Sequence, residues 1–195
     1  MFFRDLKPKP NVTLQVALAD VHLPVKLGHR DAGKIFGEPL QAQLAAAGMG
    51  TVLDCRTRTR ASGAINGVDL YLGLTDTRQS ALKTVAGMLE YLAAPCGSSI
   101  RLSEGLAEPL IFGATEGLEL SVGTVEAPDA ETRRDLALAC KDAIQHLGVS
   151  RGWALAQDRT LFYFYGESFA EMREGLASIL NRNPRFSSAA IRRMA

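Results

Sequence analysis

The sequence predicts an α+β fold built from two similar halves, each running strand, helix, strand, strand, helix, strand. Three observations carry this expectation. Short segments with period-two alternation of apolar and polar residues are separated by segments with helical periodicity. Glycine, proline and polar caps fall at the joints between them. The order of elements then occurs a second time, over a span too long for a solenoid repeat.

In the first half, 1–103, Lys7 to Pro10 forms a stiff, exposed lead-in, and Val12 to Ala19 alternates as a strand. His22 to Phe36 is punctuated by Pro24, Gly28 and Gly33 and reads as irregular. Glu38 to Ala47 is a helix with Pro39 in its first turn, where no N–H is needed, and Gly48 stops it. Thr51 to Thr59 and Val68 to Leu74 form a hairpin across a turn at Gly63 to Gly67. Thr75 or Thr77 is placed to cap a helix over Arg78 to Ala93, with Leu82, Val85, Ala86 and Leu89 on one apolar face. Ser98 to Leu102 is a short last strand.

The second half, 104–195, repeats the order after a linker, Ser103 to Glu116, that lacks a Ser/Gly run, so the halves are expected to pack together. Gly117 to Val125 is a strand. Asp129 caps a helix whose apolar side holds Leu136, Cys140, Ile144 and Leu147, and Gly148 stops it. Gly152 to Gln157 and Thr160 to Tyr165 form a hairpin. Ser168 and Glu171 have capping-box spacing ahead of a helix through Leu180, and Ser188 to Met194 closes the half. Val68 to Gly73 and Leu161 to Gly166 occupy equivalent places. Two helices on one antiparallel sheet, in this order, is the ferredoxin-like arrangement.

Composition removes several functions. The chain has 195 residues, 47% hydrophobic and 22% charged, a normal globular balance. A formal net charge of +1 gives no field to recruit nucleic acid. No stretch has the length of a membrane span, and Met1 to Pro10 lacks the apolar core of a signal peptide. Cys55, Cys96 and Cys140 are scattered and read as reduced thiols of a cytoplasmic protein. The three histidines are scattered too, which speaks against a structural zinc site, and no metal or cofactor is expected.

Four groups of residues could carry function. Gly28 to Lys34 resembles a phosphate-binding loop, but Ile35 stands where Ser or Thr would hold magnesium. The glycines more simply shape a loop. Cys55 lies beside Arg56, which would favour a thiolate, yet no histidine is tied to it, and a buried strand thiol is the better reading. Arg56, Arg58 and Arg60 alternate, so a regular strand puts all three on one face. They form either a cationic stripe for phosphates or carboxylates, or a solvated sheet edge. Leu161, Tyr163 and Tyr165 share one face of a strand, with Trp153 on its partner. Leu161 to Gly166 does not fit the RNA-recognition signature. This cluster packs the halves together or offers Tyr163, Tyr165 and Trp153 to a partner. No acid–base pair of carboxylates stands out.

Thr160 to Met172 (TLFYFYGESFAEM) resembles the "ETALYFYG-S-F-E-M" segment of small bacterial proteins, in which a "YP" and an "ARV" strand follow; here these are Asn183-Pro184 and Ala190-Ile191-Arg192. Gly113 to Leu120 and Ala94 to Ser98 resemble further motifs of that group. The likeness covers most of the chain and departs from it at Cys55 to Arg60, where the group has a glycine run. Many of these proteins resemble immunity proteins encoded beside polymorphic toxins. The resemblance implies a cytosolic inhibitor that binds a cognate protein toxin, and the lack of catalytic residues fits a protein that is not an enzyme; the arginine stripe and the aromatic strand then offer Arg56, Arg58, Arg60, Trp153, Tyr163 and Tyr165 as partner-binding residues. The alternative is a small-ligand sensor, because paired modules of this kind often bind effectors at their interface. The sequence leaves the toxin and the oligomeric state open.

Overall fold

The structure, a computed structural model, describes residues 16–61, 63–104 and 108–194. The lead-in 7–10 and the start of the predicted first strand, 12–15, lie outside these residues. Two antiparallel sheets form. In the first, β1 (Ala17–Leu23) lies between β3 (Ile65–Leu74) and β4 (Ser98–Leu102), with β2 (Gly50–Thr59) outside β3 and β5 (Leu110–Phe112) outside β4. In the second, β6 (Glu116–Gly123) lies between β8 (Arg159–Gly166) and β9 (Ala190–Met194), with β7 (Gly148–Leu155) outside β8. Apart from β5, both sheets have the order second–third–first–fourth strand, the predicted α+β ferredoxin-like fold occurring twice.

Period two explains the strands. Ala19, Val21 and Leu23 of β1 and Val68, Leu70, Leu72 and Leu74 of β3 are buried, while Asp20, His22, Asp69 and Tyr71 alternate with them. On the buried side sit α2 (Glu38–Ala47), through Leu40 and Leu44, and α3 (Gln79–Tyr91), through Val85 and Leu89. In the second half, Leu118, Leu120, Phe162 and Phe164 meet Leu136 and Cys140 of α4 (Ala130–Ala143) and Met172 and Leu176 of α5 (Phe169–Arg182). The expected caps of α4 and α5 are in place: Asp129 accepts from Thr132 N, and Ser168 Oγ accepts from Glu171 N.

Three expectations are corrected. The supposed irregular stretch is helical in its second part, as α1 (His29–Ala32) followed by a π turn (Gly33–Gly37) that runs into α2, because Ala32 and Phe36 are buried in the first core. α3 is not capped by Thr75 or Thr77; Asp76 accepts from the Arg78 N–H at 2.9 Å and pairs with the Arg78 guanidinium. The supposed linker contributes β5, whose Leu110–Phe112 pair with Ser98–Ile100, so the first sheet runs past residue 103.

The halves stack. Leu161, Tyr163 and Tyr165, on the side of β8 opposite Phe162 and Phe164, join the first half's core with Phe36, Leu44 and Leu89. Tyr165, 1% exposed, accepts a hydrogen bond from Lys26 N at 2.9 Å. Arg151, at a bulge in β7, lies over the Phe36 ring and donates to the Leu92 carbonyl. The helices of the first half thus rest on the second sheet, and no described element covers the other face of the first sheet.

Candidate functional site

That uncovered face is where the first sheet gathers its polar side chains. Alternation places Asp20 and His22 on it from β1, and Asp69 and Tyr71 from β3. Arg56 and Arg58 come from β2 and are paired across the ladder with Asp69 and Gly67. Ser99 and Arg101 come from β4, where they face His22 and Asp20. Asp69 is the hub. Its carboxylate, on a side chain 14% exposed, accepts from Arg58 Nε at 2.9 Å and lies 2.7 Å from His22 Nδ1. Arg56 donates to Asp54 at 2.5 Å and stacks over Tyr71 at 5.4 Å. The hydrogen bond from Arg56 holds the Asp54 carboxyl below its ordinary pKa. Arg101 reaches Asp20 at 3.7 Å. His22, Arg58, Asp69, Tyr71, Ser99 and Arg101 help line a shallow hollow of about 330 Å³ on this face.

The hollow suggests acyl-transfer chemistry at first sight, because Ser99, His22 and Asp69 come from adjacent strands. The geometry does not assemble it. The His22 ring leans over Gly67, where a Cβ would come within 2.5 Å of His22 Cε1. Ser99 makes no hydrogen bond to His22, whose imidazole is placed as a hydrogen-bond partner of Asp69. The Cys55 and Cys140 thiols offer no nucleophile either. Burial, then the Asp54 charge, pushes Cys55 up to about 11, and burial pushes Cys140 up to about 12. The phosphate-loop reading of Gly28 to Lys34 is replaced by helix, α1 and the π turn that follows it, which leaves no glycine-rich loop there. Among the described residues, no three His, Cys, Asp or Glu side chains converge as a metal site. No helix among them is long and apolar enough to cross a membrane.

The six predicted partner residues are distributed over four places. Arg56 and Arg58 share the uncovered face. Arg60 does not: β2 and β3 slip register between Arg58 and Thr59, and Arg60 bonds Asn66 at 3.1 Å beside Lys26 in the cleft between the halves. A bulge re-aims side chains in this way. Tyr163 and Tyr165, 8% and 1% exposed, are covered by the first half and are unavailable to a partner or to bases. Trp153, 44% exposed, lies near the β7 edge of the second half under the Arg133 guanidinium, on the side of that sheet that bears its helices. The residues that complete the face, namely Asp20, His22, Asp69, Tyr71 and Arg101, went unremarked in the sequence. Their signal is the polar phase of three strands, β1, β3 and β4.

No protein-family model matches the chain, and a search of curated proteins finds no match. Several solved structures align along most of its length. An unknown protein from Galdieria sulphuraria is 14% identical, with 92% of this chain and 96% of that one covered and a TM-score of 0.29. The first two RRM domains of yeast poly(U)-binding protein are 12% identical, with 91% and 99% covered and a TM-score of 0.27. A protein described as a glycine cleavage system transcriptional repressor is 9% identical, with 92% and 97% covered and a TM-score of 0.33. At these identities and scores the likenesses assign neither a family nor an activity to this chain.

Proposed function

We propose that the chain is a binding protein that neutralises a cognate bacterial toxin domain, with the uncovered face of the first sheet as its docking surface. The observation that carries the reading is that face itself. It combines arginine, an aromatic ring and half-buried ion pairs on a rigid sheet, the residue types that anchor protein interfaces. Its cations are each held by a neighbouring carboxylate, so their positions are fixed before a partner arrives, which lowers the entropic cost of association. Leu18 and Ile111, half or more exposed at the edges of the same sheet face, add apolar area around the charged centre. The resemblance of Thr160 to Met172 and of the flanking motifs to immunity proteins supports the choice of partner.

The experiment is co-expression. Cells carrying the toxin domain encoded beside this chain should grow when the chain is present, and should stop growing when it carries the double substitution Arg56→Glu and Arg58→Glu. A chain that gives no protection against the neighbouring product removes the proposal.

A further inference from the structure

We infer that the cleft between the two halves binds a phosphate group, held by Lys26, Arg60 and Arg192. The three cations come from separate parts of the chain: the segment after β1, the end of β2, and β9. They meet with Asn66, Arg193 and Glu119 around a cavity of about 420 Å³, within the size range of small-molecule sites.

The charge in this cleft is not balanced from within. Glu119 is the one carboxylate among the lining residues, and Arg192 engages it at 2.5 Å. Arg193 is occupied by Glu116. Neither Lys26 nor Arg60 forms an ion pair among the described residues. Three positive groups against one carboxylate leave two charges uncompensated, which a phosphate dianion would neutralise. The donors are also free to serve. Lys26 Nζ gives one hydrogen to the Ile65 carbonyl at 2.7 Å and keeps two. Arg60 gives Nε to Asn66 Oδ1 at 3.1 Å and keeps both terminal nitrogens.

The lysine shows what the arrangement costs. Burial lowers the Lys26 pKa and the neighbouring Arg60 lowers it further, against a smaller pull from Glu119. Two cations pressed together in a half-buried cleft are an expense that an oxyanion relieves, and charge-assisted bonds from ammonium and guanidinium groups are the strong kind. The arrangement also depends on the register slip that takes Arg60 away from Arg56 and Arg58. The cleft is separate from the proposed docking face, so either assignment can fail without the other.

The test is isothermal titration of the full chain with sodium phosphate at low ionic strength, with matched sodium chloride as the reference. The expected result is saturable binding with Kd of about 1 mM or tighter. Arg60→Gln, a change at an exposed position, should weaken it about tenfold, the value of one lost charge-assisted contact. Arg192→Gln should do the same, whereas Lys83→Gln on the exposed side of α3 should leave it unchanged. Phosphate binding no stronger than chloride would overturn the inference, and so would an equal loss in Arg60→Gln and Lys83→Gln.

Discussion

Tyr163 and Tyr165 are two residues apart on one strand, yet their hydroxyls differ in what they hold. Tyr165 accepts the Lys26 N–H at a buried site. Tyr165→Phe should therefore cost about 1–2 kcal/mol by leaving a backbone donor unsatisfied. Tyr163 makes no such bond, and Tyr163→Phe should change stability by less than about 0.5 kcal/mol; urea denaturation of the two variants checks the contrast. The cysteines differ in a similar way. At pH 7.5 a thiol reagent should label Cys96, which is exposed, should label the partly buried Cys55 more slowly, and should reach Cys140 only on unfolding. Burial raises both thiols above their ordinary value of 9.0, to about 11 and about 12. Because the folded pKa is raised, their contribution to stability is complete below pH 9 and is lost as pH rises through 11–12. The Tyr163 and Tyr165 phenols, also raised by burial, act in the same direction. Thermal unfolding across pH 8–11 should show a falling alkaline limb.

At the level of elements, close approach decides more than propensity does. Gly148 and Gly166 face each other across β7 and β8, and a Cβ on Gly166 would come within 2.0 Å of the Leu147 carbonyl oxygen. Gly166→Ala should cost about 3 kcal/mol, the upper end for overpacking, measurable as a lowered denaturation midpoint. This glycine was visible in the sequence as the end of a strand, but its crowding was not. The same division runs through the fold. The strand order, both hairpins and the α4 and α5 caps were legible, because alternation and capping are local properties. The helix at His29–Gly37 was hidden by Gly28, Gly33 and Gly37, whose local preference is overridden by burial of Ala32 and Phe36. The three residues of β5 carry no periodicity of their own and become a strand because the β4 edge is there to pair with. The arginine stripe was read on the assumption of a regular strand. The two register shifts of β2 leave no mark in composition, and one of them moves Arg60 to a different site.

For the whole molecule, the stacking of one half on the other defines which surfaces remain. Among the described residues, the second sheet is covered on both sides, by its own helices and by those of the first half, and the first sheet keeps one open face. Because Leu161, Tyr163 and Tyr165 belong to the first half's core, the two halves should unfold together. Calorimetry should give one transition, with the van't Hoff and calorimetric enthalpies equal; two resolved transitions would show that the shared core contributes little. The central claim is that the open face binds a toxin domain. Its most direct measurement is isothermal titration of the full chain with a candidate toxin domain encoded by a neighbouring gene. Binding should be one-to-one, and Arg58→Glu, which also sets two carboxylates against each other beside Asp69, should weaken it about a hundredfold while the circular dichroism spectrum is unchanged. Undiminished binding by a folded Arg58→Glu chain, or no binding by the wild type, would contradict the account.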